Sequence, residues 1–240
     1  MNTPERPGGA LATRDLHFFW LLDGSTSMAG AKVQSLNFAV ANAVPEMRSA
    51  AESNPRVRLM VRALRFATDV QWISADGRPS ATATPPVPIS EFEWGDFIKA
   101  GGETAMGQAL SVVADELAKL DMRGRYFPPV IVLVTDGLAT DKFDEGLARL
   151  MAHPFGAHAV RLAVAIEDGN SEVDLDRLQA FIGNPEVKPF RAGNSDELAM
   201  MIAFASRSGI DRSSRPAGLV RRRDAPEADN GSIVVDPRSI

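Results

Sequence analysis

The sequence predicts an α/β protein with a doubly wound, mostly parallel sheet, one antiparallel edge strand and helices on both faces of the sheet. Two observations lead to this prediction. Short apolar runs of the strand type alternate with segments in which apolar residues recur at steps of three and four, and this alternation is typical of parallel sheets covered by helices. A chain of 240 residues with 45% hydrophobic content can also bury the core of one large domain.

The first third of the chain supplies a strand, a helix and a hairpin. A strand is predicted at residues 16–22, and the apolar stripe across residues 33–47 predicts a helix packed against the sheet. Pro45 lies inside this stripe, so we expect it to kink the helix or loosen its later turns. Residues 57–66 and 70–73 flank a short turn and predict an antiparallel hairpin at one edge of the sheet.

The remaining elements follow an irregular loop, which is predicted at residues 76–88 because Gly, Pro, Ala, Thr and Ser dominate there. Asp174 opens a short helix that Gly183 ends. Pro189 interrupts the last strand and therefore places it at an edge of the sheet. The helices and strands expected after the loop cover residues 106–120, 130–134, 141–152, 159–166, 174–183, 187–190 and 195–206.

The chain divides into three parts. Residues 1–13 are a polar N-terminal extension, residues 14–206 are the folded domain, and residues 207–240 are a tail that we expect to be disordered, because Ser, Arg, Pro, Asp and Gly dominate it. The apolar run at residues 233–235 is interpreted as a strand that adds to a partner's sheet edge or to a second copy of the chain. A solvated terminus without function is the alternative.

Composition narrows the function classes. The chain has no cysteine, which excludes disulfides, thiol catalysis and cysteine-based zinc sites, and its three histidines show no metal-ligand spacing. The formal net charge is −5, and the arginines at 58, 62 and 65 are expected to form a solvated strand face rather than a nucleic-acid surface. Residues 1–13 lack the apolar core of a signal peptide, and no apolar run approaches the ~20 residues of a membrane span. We therefore expect a cytoplasmic protein that binds neither nucleic acid nor membrane.

Oxygen-bearing side chains follow the predicted strands. The strand at 16–22 runs directly into an Asp-x-Ser-x-Ser cluster at 23–27, a glycine-framed loop at 101–107 carries one threonine, and the strand at 130–134 runs into Thr-Asp-Gly at 135–137. Each segment alone is most simply a turn or a helix cap. Because ligands bind beyond the carboxyl ends of the strands in such sheets, the three segments together predict one site. Hydroxyls and carboxylates suit a hard divalent cation.

In order and approximate spacing, these segments resemble the metal-ion-dependent adhesion site of von Willebrand factor A (VWA) domains, over about residues 12 to 206. The resemblance implies a Rossmann-like VWA fold and a divalent cation, Mg²⁺ first, with Mn²⁺ or Ca²⁺ as alternatives. It implies direct ligation by Ser25, Ser27 and Thr104, with Asp23 and Asp136 acting through water. It also implies an open metal position that takes an Asp or Glu carboxylate from a partner protein.

The chain departs from the commonest family pattern, which is Asp-x-Ser-Gly-Ser. Thr26 stands where glycine is usual, and Gly24 comes directly before the first serine. The oxygens of the pattern are retained, and the two departures concern the backbone of the loop. Thr140 and Asp141 come shortly after the second aspartate of the site, and helix capping by one of them is the expected role. An outer rim of the metal site is the alternative.

Within the family, residues 36–40, 130–137 and 181–183 look like those of small bacterial cytoplasmic proteins of the tellurite-resistance, TerY-like type. This resemblance implies a protein–protein interaction module that is not an enzyme. It also implies a setting with a serine/threonine kinase and a PP2C-type phosphatase, in stress, tellurite-resistance or phage-defence systems.

Two enzyme classes are the alternatives. A nucleotide-hydrolysing P-loop is suggested by the glycines between Gly24 and Lys32, but their spacing is one residue too long and no Ser or Thr follows the lysine. A Mg²⁺-dependent phosphatase would use Asp23 as a nucleophile, but that chemistry needs a second acid where Ser25 stands. The set contains no nucleophile beside a general base, which favours binding over catalysis.

Overall fold

The computed structural model of the protein describes residues 13–119, 127–167 and 173–214. Within these ranges the chain forms eight strands and six helices, and it is the predicted α/β protein. The strands are β1 (Arg14–Asp23), β2 (Val57–Phe66), β3 (Val70–Ile73), β4 (Pro79–Ser80), β5 (Val87–Pro88), β6 (Val130–Thr135), β7 (Val160–Ile166) and β8 (Phe190–Ala192). The helices are α1 (Ala31–Glu52), α2 (Met106–Lys119), α3 (Phe143–Ala152), α4 (Pro154–His158), α5 (Leu175–Ile182) and α6 (Ser195–Ser214).

The strands form one mixed sheet in the order β4-β3-β2-β1-β6-β7-β8, with β5 pairing with β2. Pairing from β2 through β1, β6 and β7 to β8 is parallel, whereas β3, β4 and β5 pair antiparallel at one side. The hairpin of β2 and β3 has the predicted bounds. The chain leaves β1 toward β2 and later returns to β6 on its other side, so the crevice beside the carboxyl end of β1 is a topological switch point.

The core has one layer on each face of the sheet. In β1, Phe18 and Trp20 face the layer that contains α1 and α6, whereas Phe19 and Leu21 face the layer of α2, α3 and α5. All four side chains are fully buried. Covering on both faces explains why β1 is a continuous apolar run rather than an alternating one.

Helix α1 contains Pro45 and continues past it to Glu52. Predicted element boundaries differ from the structure at β8 and at α6. The edge strand β8 begins at Phe190, after Pro189, because a proline has no N–H to donate to a ladder. Helix α6 continues eight residues beyond 206, to Ser214, because Ile210 is fully buried and Gly209 lies against the side chain of Val130. The part of the predicted tail from 215 onward lies outside the described residues.

The solvated arginine face predicted on β2 is wrong for two of its three residues. Arg58 is exposed, but Arg62 is buried and donates to the Glu116 carboxylate of α2 at 2.8 Å. Its guanidinium also lies 5.5 Å from the centroid of the Phe19 ring. Arg65 is turned toward the loops at the end of the sheet. The alternation of arginines with apolar residues in β2 was visible in the sequence. The carboxylate and carbonyl groups that bind Arg62 and Arg65 come from segments distant along the chain, so these partners were not.

Three smaller elements were not predicted. Helix α4 follows α3 directly, and the loop at 76–88 contains the two-residue strands β4 and β5. Within the part of the chain that the structure describes, no helix is both long and apolar enough to cross a membrane.

Candidate metal centre

The ends of two neighbouring strands begin the site. Strand β1 ends at Asp23 and β6 ends at Thr135, and the two strands pair side by side. Asp23 is fully buried, and each of its carboxylate oxygens accepts a hydrogen bond. The backbone N–H of Ser25 donates to Oδ1 at 2.8 Å, and the hydroxyl of Thr135 donates to Oδ2 at 2.5 Å. Thr135 was named in the motif but was not predicted to contact the site.

A chain of hydrogen bonds continues from Asp23 to Asp136. The Oγ atoms of Ser25 and Ser27 are 2.9 Å apart, and Ser27 Oγ donates to Asp136 Oδ1 at 2.7 Å. Ser25 and Asp136 are buried, whereas Ser27 is exposed on a 3-10 turn, Thr26–Met28. The structure thus brings four of the five predicted site residues into one hydrogen-bonded set.

Lys32 is a further member of the site that the sequence did not assign to it. The Nζ of Lys32 donates to Asp136 Oδ2 at 2.7 Å. The lysine is the second residue of α1, its side chain is 18% exposed, and its partner carboxylate is fully buried. The sequence signal for this role is its position in the first turn of the helix after the Asp-x-Ser-x-Ser loop, where a P-loop lysine is the other interpretation.

The fifth predicted residue, Thr104, lies on the neighbouring loop. Its backbone N–H donates to Thr140 Oγ1 at 3.0 Å, and its carbonyl accepts from the Thr140 backbone N–H at 3.1 Å. Thr104 is buried, two residues after Gly102, which is bonded directly to the first loop. The loop of Thr104 is therefore joined to the first loop through Gly102, and the contacts of Thr104 to Thr140 are made through its backbone.

Thr26 explains one departure from the family pattern. Its hydroxyl donates to the carbonyl of Gly102 at 3.0 Å and accepts from the N–H of the same glycine at 2.9 Å. The backbone N–H of Thr26 also donates to that carbonyl, at 2.9 Å. Gly102 has a φ of 94°, a conformation that suits glycine. The side chain that replaces the usual glycine therefore joins the first loop to the second.

Arg65 explains the other departure. Its Nη2 donates to the carbonyls of Gly24 at 2.9 Å and Gly101 at 2.8 Å, and its Nε donates to the carbonyl of Lys99 at 2.7 Å. A Cβ added at Gly24 would lie 2.3 Å from Arg65 Nε. A side chain at position 24 would therefore have to displace Arg65 from its bonds to these carbonyls.

The predicted capping role is confirmed for Asp141, but the helix that it caps is α2 rather than α3. Both carboxylate oxygens of Asp141 accept from the start of α2, from the N–H of Gly107 at 2.8 Å and of Gln108 at 2.7 Å. Lys142 stands at the N-cap of α3 and makes no side-chain capping bond. Asp141 and Thr140 thus hold the loop of Thr104 and the helix that follows it.

Two buried carboxylates dominate the electrostatics of the site. Burial raises the pKa of Asp23 above its ordinary value, and the charge of Asp136 adds to the rise. The hydrogen bonds from Thr135 and Ser25 act in the opposite direction. A cation bound beside these groups would favour their charged forms, so the site gains from positive charge.

The donor set fits a hard cation. It consists of hydroxyl and carboxylate oxygens, and the described residues contain no cluster of three or more His, Asp or Glu side chains suited to a metal. In an octahedral Mg²⁺ site with bonds of 2.0–2.1 Å, adjacent ligand oxygens are about 3.0 Å apart. The Oγ atoms of Ser25 and Ser27 are separated by 2.9 Å. Ser25 and Ser27 can therefore serve as adjacent ligands with little movement.

Several known structures are similar to this fold. The von Willebrand factor type A protein of Catenulispora acidiphila matches with a TM-score of 0.60 and 12% identity, over 82% of this chain and 43% of that one. The pilus adhesin SpaC of Lactobacillus rhamnosus GG matches with a TM-score of 0.59 and 12% identity, over 84% and 31%. The vWF domain of the type V pili tip protein Mfa5 of Porphyromonas gingivalis matches with a TM-score of 0.62 and 8% identity, over 85% and 98%.

The chain thus spans less than half the length of the first two of these structures. No curated protein matches the sequence significantly. The family model described as the von Willebrand factor type A domain matches residues 18–203, which contain every element from the end of β1 to most of α6. The chain therefore belongs to the von Willebrand factor type A domain family.

Proposed function

We propose that this protein is a metal-dependent protein–protein interaction module. Ser25, Ser27 and Thr104 would hold a divalent cation, Mg²⁺ in the first place, with Asp23 and Asp136 acting through water. When bound, the cation supplies an electrophilic position that accepts a carboxylate oxygen from a partner. The observation that carries this proposal is the hydrogen-bonded set from Asp23 to Asp136, which gathers oxygen donors at the switch point of the sheet.

The arrangement favours binding over catalysis. Both carboxylate oxygens of Asp23 accept hydrogen bonds, and the side chain is fully buried, so it is poorly placed to attack a substrate. The two serine hydroxyls are hydrogen-bonded to each other, and that of Ser27 donates to a carboxylate that is paired with Lys32. Nucleophilic catalysis needs an accessible nucleophile activated by a base. The phosphatase and nucleotide-hydrolase alternatives are therefore less well supported.

The kind of partner follows from the ligand chemistry. A cation held by neutral hydroxyls favours an outside carboxylate, so we propose an Asp or Glu of a protein rather than a nucleic acid or a membrane. SpaC is described as a pilus adhesin and Mfa5 as a pili tip protein, which fits a binding role for this fold. The TerY-like resemblance points to a cytoplasmic partner, a serine/threonine kinase or a PP2C-type phosphatase, in a stress, tellurite-resistance or phage-defence system.

The metal is tested by calorimetric titration of the full chain with MgCl₂. We expect wild type to bind one Mg²⁺ and the Ser25→Ala/Ser27→Ala variant to lose that binding. Ser49→Ala/Ser53→Ala is a matched control, because these exposed serines lie at the other end of α1. Unchanged affinity in the Ser25→Ala/Ser27→Ala variant would show that the cation is held elsewhere.

The partner is tested by affinity capture with Mg²⁺ and with EDTA. We expect EDTA to release the partner and Mg²⁺ or Mn²⁺ to restore it. Removal of the partner's acceptor carboxylate is expected to weaken binding by about 2–5 kcal/mol. A complex that survives chelation would contradict metal-dependent binding. Turnover of a nucleotide or a phosphate ester that Asp23→Ala abolishes would instead establish an enzyme.

A further inference from the structure

Lys32 places a fixed positive charge inside the candidate metal centre. Four protein donors satisfy the four carboxylate oxygens of Asp23 and Asp136, and of these donors only Lys32 carries a formal charge. Its ammonium is largely shielded from solvent, and the carboxylate it contacts is fully buried. Charges in such surroundings are screened much less than charges on the surface.

The position of Lys32 does not stabilise helix α1. It lies in the first turn of α1, where the partial positive charge of the helix dipole disfavours a cation. The N-cap of this helix, Gly30, has no side-chain capping bond. In this position the lysine forms an ion pair with Asp136, at 2.7 Å.

The charge balance of the site depends on this one residue. With both carboxylates ionised, Asp23, Asp136 and Lys32 sum to −1, and a divalent cation would bring the loaded site to +1. Without the lysine the same groups sum to −2, and the loaded site would be neutral. Arg65 is bonded to backbone carbonyls in either case, so its contribution does not change.

We propose that Lys32 is a specificity-determining residue, which weakens the binding of a cation to the site and strengthens the binding of an anionic group to the loaded site. This inference rests on the proposed function. Repulsion between the ammonium and a divalent cation lowers metal affinity, and the net positive charge of the loaded site attracts a carboxylate. A negatively charged partner group is thereby distinguished from neutral oxygen donors such as water.

The test uses Mn²⁺ and acetate as probes on the full chain. Mn²⁺ affinity is measured by water proton relaxation, and acetate binding to the Mn²⁺-loaded protein by broadening of its ¹³C resonance. In Lys32→Met we expect Mn²⁺ to bind about tenfold more tightly and acetate about tenfold more weakly than in wild type. Lys32→Arg retains the charge and is expected to keep both affinities within about threefold of wild type.

Lys119→Met is the matched control. It removes a lysine that also pairs with a carboxylate, Glu116, at the far end of α2, and we expect no change in either affinity. Lys32→Gln repeats the test if Lys32→Met does not give a native circular dichroism spectrum. Opposite shifts of the Mn²⁺ and acetate affinities in the Lys32 variant support the inference. Mn²⁺ binding that appears only in that variant refutes it, because the wild-type site is then never loaded.

The outcomes separate the inference from the proposed function. If Ser25→Ala/Ser27→Ala loses Mn²⁺ but Lys32→Met matches wild type, the metal site stands and the role of Lys32 is refuted. Shifts of metal and acetate affinity in the same direction also refute it. If neither wild type nor Lys32→Met binds Mn²⁺, the proposed function and the inference fall together.

Discussion

Asp23 shows how one buried carboxylate can favour the binding of a cation and at the same time lower the stability of the metal-free protein. Burial raises its pKa, so at neutral pH the charged side chain costs stability that is recovered as the pH falls and the group is protonated. Asn at this position can accept from the N–H of Ser25 and donate to the hydroxyl of Thr135. We therefore expect Asp23→Asn to raise the melting temperature of the metal-free protein at pH 7, by about 2–4 °C for each kcal/mol gained.

The same substitution is expected to abolish the rise in melting temperature that Mg²⁺ gives wild type, because the anion that attracts the cation is gone. Scanning calorimetry with Mg²⁺ and with EDTA measures both effects. Asp211→Asn, which changes an exposed aspartate of α6, controls for the loss of one negative charge. A lower melting temperature for metal-free Asp23→Asn would mean that the carboxylate is stabilising.

His17 makes the opposite contribution to the pH dependence. Burial lowers its pKa to about 4, and the positive charge of Arg62 acts in the same direction. Between about pH 6.5 and 4 the unfolded chain binds a proton at this residue and the folded chain does not, so the free energy of unfolding falls as the pH falls.

We expect wild type to lose about 2 kcal/mol between pH 7 and pH 5 through this residue, and His17→Gln to lose correspondingly less. Urea denaturation at the two pH values measures the difference. The exposed His158 provides the control, since His158→Gln should leave the loss unchanged. Equal losses in wild type and His17→Gln would assign the acid sensitivity to other groups.

At the scale of single residues, sequence spacing predicted the site residues whose contacts are with near neighbours along the chain. The Asp-x-Ser-x-Ser cluster indicated Asp23, Ser25 and Ser27, and the structure joins these residues by hydrogen bonds. Lys32 could not be assigned, because its partner in the site is 104 positions away along the chain. Arg65 looked like a solvated residue for the same reason, since the carbonyl of Gly101 is 36 positions away.

At the scale of elements, the link between the first and second loops is the feature most open to test. Thr26 makes two side-chain hydrogen bonds to the backbone of Gly102. Thr26→Gly restores the commonest family pattern, but it removes both bonds and makes the loop more flexible in the unfolded chain. We expect it to destabilise the protein by about 1–2 kcal/mol and to weaken Mg²⁺ binding.

Thr26→Ser keeps the hydroxyl and is the matched variant, with stability and Mg²⁺ affinity expected close to those of wild type. Thermal unfolding and calorimetric titration give the two quantities. Should Thr26→Gly bind Mg²⁺ as tightly as wild type, the link to Gly102 would be structural only and without effect on the metal centre.

The elements that periodicity predicted well are those whose apolar pattern is complete within the element. The hairpin of β2 and β3 and helix α5, with its Asp174 cap and its Gly183 end, are of this kind. The role of Asp141 was not predictable in this way. A capping residue beside its own helix looks the same in sequence as one that caps a helix 33 positions earlier.

At the scale of the whole molecule, alternation of strand and helix predicted the parallel sheet, but not the side of β1 on which each later strand lies. That order places Asp23 and Asp136 on adjacent strand ends. The last helix also ends later than its sequence predicts, at Ser214. Residues 207–214 carry few apolar side chains, so their sequence resembles a tail, whereas Ile210 is fully buried.

Two truncations test where the domain ends and what the tail does. Deletion of residues 215–240 retains every described core residue, so we expect the melting temperature to stay within about 2 °C of wild type, a difference of at most about 1 kcal/mol. Deletion of 207–240 also removes Ile210 and the contact of Arg207 with Glu46. Loss of one large buried aliphatic side chain costs about 2–5 kcal/mol. We therefore expect this shorter chain to have a much lower melting temperature than wild type.

The same pair of truncations examines the strand interpretation of residues 233–235. If that run adds to the sheet edge of a partner or of a second copy, deletion of 215–240 should weaken association measured by affinity capture and by sedimentation, while the melting temperature is kept. Ile233→Ser/Val235→Ser in the full chain should reproduce the loss, because a paired strand needs apolar side chains on its buried face. Association that is unchanged in both variants would leave the tail as a solvated terminus.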